Sequence, residues 1–175
     1  MKSPNWAAFA FAAALCTPQA AWSAPPTWAY TLLDASQATA QGGAVLFATQ
    51  PKVVGDQASV DLMMVFVVPA PDPSVGNAIV SHVDMPLTFA CSTRMATQMK
   101  PTVFDTAGQV VNIPQDAQWP QEGPVPVPEA GTVEPAFEAF RLACGQRVVT
   151  KTFPTLAAII AFARNATNAP LLAPP

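Results

Sequence analysis

The clearest alternation of apolar and polar positions lies at Ser59 to Val68 (SVDLMMVFVV). Val60, Leu62, Met64, Phe66 and Val68 make one face apolar. The other face opens with Ser59 and Asp61, then turns to Met63, Val65 and Val67. Burial on one face at the start and on both later predicts a strand in the middle of a sheet. Pro69, Pro71 and Pro73 are predicted to end it. Further strands are predicted at Trp28 to Leu33, at Ala44 to Thr49 (entered through Gly42-Gly43), near Leu87 to Ser92, at Met99 to Phe104 and at Gln109 to Ile113. The last two are joined by Asp105-Thr106-Ala107-Gly108, whose aspartate and glycine suit a hairpin turn. Short strands with tight turns favour antiparallel pairing.

The period changes after a proline-heavy connection, Pro114 to Pro128, which contains Trp119 and Pro124-Val-Pro-Val-Pro128. Such segments are either ligands for SH3-like grooves or stiff surface loops, and export favours the loop. Val133, Phe137, Phe140 and Cys144 then recur on one helical face, with Thr132 as cap, Pro135 in the first turn and Gly145 as stop. A second helix is predicted from about Phe153 to Arg164, capped by Thr152. Its stripe is Phe153, Leu156, Ile159, Ile160 and Ala163, and it is too short to span a membrane, so it packs on the sheet. Residues 166–175 read as a flexible tail.

One apolar run has no place in this scheme. Met1-Lys2 is a short basic start, and Trp6 to Leu15 (WAAFAFAAAL) carries no charge. Pro18 and small residues follow, up to Ala24. That order predicts a signal peptide over residues 1–23, cut after Ser23, with export to the periplasm or the extracellular space. Cys16 raises the alternative of lipidation, but Leu15 stands where a small residue normally precedes a lipidated cysteine. Residues 24–165 then form a single domain, long enough for its own core.

Composition narrows the function classes. The chain is 51% hydrophobic and 11% charged, so it is no disordered acidic tail. Its formal net charge of −3 becomes −4 when Lys2 leaves, and the remaining basic residues are scattered singly. No basic face is available for nucleic acid or for an anionic membrane surface.

Cleavage also changes the cysteine count. Three cysteines become two, Cys91 and Cys144, and two thiols in an oxidising compartment pair. A redox or metal role would call for CxxC spacing or neighbouring histidines, which this pair lacks. We expect a structural disulfide.

Candidate chemistry is thin. His82 is the only histidine, within Ser81-His82-Val83-Asp84. A triad needs its histidine to bond both partners through opposite ring nitrogens. In a regular strand Ser81 and His82 point to opposite faces, while His82 and Asp84 share one. The expectation is therefore an exposed or hydrogen-bonded histidine whose replacement by alanine leaves the fold nearly unchanged. One histidine and isolated carboxylates offer no metal-ligand spacing, and Gly42-Gly43 precedes a strand, not the helix a phosphate cradle needs. Met63, Met64, Met85, Met95 and Met99 read as core residues, with soft-metal binding as the alternative. Asn165-Ala-Thr167 matches a glycosylation sequon of a kind common by chance.

A wider pattern runs through the chain. It comprises Trp28 and Asp34, the segment Ala90-Cys91-Ser92-Thr93-Arg94, the hairpin Phe104 to Val111, Trp119, Pro128-Glu-Ala-Gly-Thr132 and Ala143-Cys144-Gly145. It resembles the surface-adhesin protein E-like family of exported bacterial proteins, over about residues 28–145. The resemblance implies an α+β fold: an antiparallel sheet of about six strands with a packed helix, and a disulfide between Cys91 and Cys144. A second, C-terminal helix comes from the apolar periodicity above. For the founding adhesin the resemblance also implies binding of host extracellular proteins from a lipid-anchored position. No adhesive motif matches residue by residue here, and fold carries over better than function.

The expected function is thus an exported, non-enzymatic binding or envelope-associated protein, adhesin-like, with neither cofactor nor metal. Its apolar strand surface suits a protein partner or another copy of itself. The alternative is a secreted enzyme with a site around His82.

Overall fold

Two long strands form the spine of the domain. The computed structural model describes residues 29–113, 123–128 and 135–165. Strand β4 runs Gln57–Asp72 and β5 runs Ala78–Ala90, paired antiparallel from Gln57↔Ala90 to Asp72↔Ala78 with a register shift between Val65 and Ala70. The turn between them is a short 3₁₀ segment, Pro73–Val75, where the Asp72 carboxylate accepts from the Ser74 N–H at 2.8 Å.

Each side of the spine carries a flanking strand broken in two. On one side lie β2 (Ala44–Thr49) and β3 (Lys52–Val54), both antiparallel to β4 and separated by Gln50-Pro51. On the other lie β6 (Met95–Gln98) and β7 (Thr102–Asp105), both antiparallel to β5 and separated by Met99-Lys100-Pro101. A proline supplies no ladder N–H, so each flank yields two short strands. Strand β1 (Tyr30–Asp34) adds outside β2, and β9 (Thr152–Phe153) outside β1. Strand β8 (Pro124–Pro126) adds outside β6. Among the described residues the result is a nine-stranded sheet rather than one of about six strands.

Every described strand pair is antiparallel, so the α+β reading holds at that level. The entry to β2 shows why glycine is needed there. Gly43 has φ +94°, and a Cβ would sit 1.9 Å from the Gln37 carbonyl oxygen.

The alternation of β4 places apolar residues on both faces, and each face receives a helix. Helix α1 (Pro135–Ala143) covers one, packing Ala139, Phe140, Leu142 and Ala143 against Ala58, Val60, Leu62, Leu87 and Phe89. Phe89 and Phe140 meet edge to face at 5.6 Å. Helix α2 (Leu156–Asn165) covers the other, packing Ile159 and Ala163 against Val45, Phe47, Met63, Val65 and Phe153. Arg147 ties α1 to β1: it pairs with Glu138 of the helix and donates to the Leu33 carbonyl at 2.6 Å. Cys91, just past β5, bonds to Cys144, just past α1, with Cα atoms 5.6 Å apart.

Several local expectations are corrected. Pro69 and Pro71 do not end β4, because Ala70, Pro71 and Asp72 still pair with β5. Pro69 falls in the unpaired stretch between Val65 and Ala70, and on the side of β4 away from β5 no described strand follows beyond Phe66, where the ladder with β2 stops. Strand β5 starts at Ala78, nine residues before the predicted Leu87. The segment Gln109 to Ile113 makes one bridge, Phe104↔Val110, instead of a strand. The turn before it forms as expected: the Asp105 carboxylate accepts from the N–H groups of Ala107 and Gln109, and Gly108 has φ +76°. Helix α2 begins after Thr155, whose hydroxyl accepts from the Ala158 N–H, and Thr152 lies in β9. The Pro-Val-Pro of the proline-rich connection is an edge strand, and Val127 beside it is buried, so this part is no free surface loop. Residues 1–23, predicted as a signal peptide, together with Trp119, Thr132, Val133 and residues 166–175, lie outside the described residues.

Candidate functional site

The residues singled out for chemistry come together on the α2 face, through a feature the sequence does not announce. The pairing of β5 with β7 shifts register between Val80 and His82, leaving Ser81 as an extra residue in a β-bulge. A bulge breaks the alternation of side chains. Ser81 Oγ therefore lies 3.4 Å from His82 Nδ1, which corrects the expectation of opposite faces. Arg164, in the last turn of α2, reaches the same Ser81 Oγ at 3.4 Å.

His82 is not exposed. Its relative accessibility is 2%, and its ring stacks on Phe104 of β7 with centroids 4.6 Å apart and planes 7° from parallel. Burial, and then the Arg164 guanidinium, hold its pKa below the ordinary histidine value. Alanine here would remove a buried, stacked ring, so the earlier expectation of an unaffected fold is withdrawn.

Asp84 shares this face, two residues further along β5. Burial, and then the nearby Asp61 carboxylate, push its pKa up to about 6. The same two carboxylates, after burial, raise the Tyr30 pKa. Asp84 Oδ1 and His82 Nε2 are both buried without a hydrogen-bond partner among the described residues.

This constellation is not a triad. Serine occupies Nδ1, and Nε2 has no acid partner among the described residues. A nucleophilic serine must meet its substrate, yet Ser81 is 2% accessible. The described groove, of about 280 Å³, lies between Lys100–Val103 and Val110–Ile113 and is lined by neither Ser81 nor His82. Among the described residues no group of three or more His, Cys, Asp or Glu could hold a metal ion. No described helix is long and apolar enough to cross a membrane.

The CSTR segment has a structural part in the fold. The Asp56 carboxylate accepts from the Ser92 N–H at 2.9 Å and from its hydroxyl at 2.7 Å, tying the β3–β4 turn to the disulfide. Arg94 lies over the Phe140 ring at 5.6 Å.

Some of the apolar side chains left in solvent lie on outer strands, Val53 and Val54 on β3 and Val125 on β8. Val53 and Val54 of β3 are 61% and 80% exposed. Strand β3 pairs with β4 on one side and with no described strand on the other. Sequence reading missed β3, because Lys-Val-Val is too short to show a period. No family model matches the chain, and neither a curated protein nor a solved structure matches it significantly.

Proposed function

We propose that the chain is an exported, non-enzymatic binding protein that engages a protein partner through the open β3 edge. The carrying observation is that edge: Lys52–Val54 presents one side to β4 and none to a described strand, with two exposed valines. An open edge offers backbone groups to an incoming extended segment, and exposed valines add apolar area. Soluble export, periplasmic or extracellular, belongs to the same proposal. The Cys91–Cys144 bond fits an oxidising compartment, and the apolar run near the N-terminus supplies the route. The resemblance to surface-adhesin protein E-like proteins suggests the class of partner, an extracellular or envelope protein.

The reading is tested by immobilising the mature protein and passing envelope and extracellular extracts over it. Capture of a defined protein that saturates, and that free mature protein competes away, supports binding. Capture that neither saturates nor competes contradicts it.

A further inference from the structure

The bulge at Ser81-His82 joins α2 to the sheet through a single hydroxyl. Ser81 Oγ is 3.4 Å from both Arg164 Nη2 of α2 and His82 Nδ1. A guanidinium only donates, so the hydroxyl accepts from Arg164 and can donate its own proton only to a neutral Nδ1. Protonation turns Nδ1 into a donor. Two cations would then converge on one oxygen, within a site where both the serine and the histidine are buried. His82 Nε2, also buried, has no acceptor among the described residues to offset the added charge.

We propose that Ser81, His82 and Arg164 form a proton-sensitive latch, in which protonation of His82 releases the C-terminal turn of α2 from the sheet. Other groups on this face set its limits. Strand β7 presents the neutral ring of Phe104 to His82, and β4 places Val65 opposite it. Asp84 on β5, Asp61 on β4 and Tyr30 on β1 form the acidic margin, with Asp84 coupled to both of the others. Lys151 lies at the Phe153 end of the face, 4.1 Å from the Phe162 ring centroid. The negative end of the α2 dipole favours a protonated imidazole and opposes release. Burial and then Arg164 act the other way and hold the His82 pKa below its ordinary value.

The sign follows from linkage. The closed state disfavours the imidazolium, so closure is complete above the ordinary histidine pKa and weakens as pH falls below it. Between pH 7 and pH 5 the opening equilibrium should rise by at most about 25-fold. Asp84 titrates in the opposite sense, so the test is made in an Asp84→Asn background.

Amide hydrogen exchange, corrected for intrinsic rates, should show α2 losing protection by roughly tenfold or more over that range while β2 and β4 do not. Adding His82→Gln should make α2 protection independent of pH. Unchanged pH dependence in that variant, or flat protection in Asp84→Asn alone, overturns the latch. Should His82→Gln fail to fold, the single histidine gives an unambiguous NMR signal in the Asp84→Asn protein. Its ring should titrate below the ordinary value, with the Ile159 and Ile160 methyls moving at the same midpoint. A ring titrating at the ordinary value with still methyls overturns the proposal.

Discussion

Removing the Cys91–Cys144 bond, as the double variant C91S/C144S, should cost about 4 kcal/mol. The two residues are 53 apart in sequence, and the bond closes the chain from the end of β5 to the end of α1. The chain-entropy argument for a loop of that length gives roughly 4 kcal/mol at 25 °C. Both cysteines also pack against the α1-side core, so serine adds a small loss of apolar burial. Domains of this size are stable by about 5–15 kcal/mol, so the loss is a large fraction of the whole. The thermal midpoint should fall by roughly 10 °C. The assay is urea unfolding followed by far-UV circular dichroism, comparing oxidised wild type, reduced wild type and the variant. Reduced wild type and variant should coincide and lie well below the oxidised protein. A difference under about 1 kcal/mol between oxidised and variant proteins would refute the reasoning, because the loop would then close at no entropic cost.

Asp84→Asn should stabilise the protein at pH 7–8 by roughly 1 kcal/mol, a figure reduced for partial exposure. Its carboxyl is raised to about 6, so the penalty is present above that pH and vanishes as pH falls below the unfolded value of 3.8. Urea midpoints of wild type and variant should therefore converge near pH 4. Thr155→Ala should cost about 1 kcal/mol through loss of the α2 cap, whereas Thr152→Ala, exposed on β9, should cost less than half as much in the same measurement.

The parts of the fold legible in the sequence are those where local pattern and tertiary role agree. The alternation at Ser59 to Val68 named the central strand, because both of its faces are buried under helices. The recurrence of Phe137, Phe140 and Cys144 named the buried side of α1. The even cysteine count left by the expected cleavage named the pair that bonds. The first half of β5 was illegible, since Ser81, His82 and Asp84 look like loop residues and Pro86 like a breaker. It is a strand because β4 and β7 pair with it from both sides, which no local window contains. The bulge at Ser81 was invisible for the same reason, and with it the meeting of serine, histidine and Arg164 from 83 residues away. Prolines misled in two ways. Pro69 and Pro71 were read as stops, although β4 continues through them to Asp72 against β5, while Pro51 and Pro101 fall in the breaks that divide the flanking strands.

The most direct test of the central claim, binding through the β3 edge, compares capture of the same extract protein by wild type, by Val53→Lys/Val54→Lys and by Val148→Lys. All three sites are exposed, at 61%, 80% and 81%, so none of the changes disturbs the core. Charge on an edge that receives an apolar strand should weaken capture by tenfold or more, on the order of 1.4 kcal/mol. Val148→Lys should capture as wild type does. Undiminished capture by the Val53→Lys/Val54→Lys protein would contradict the account.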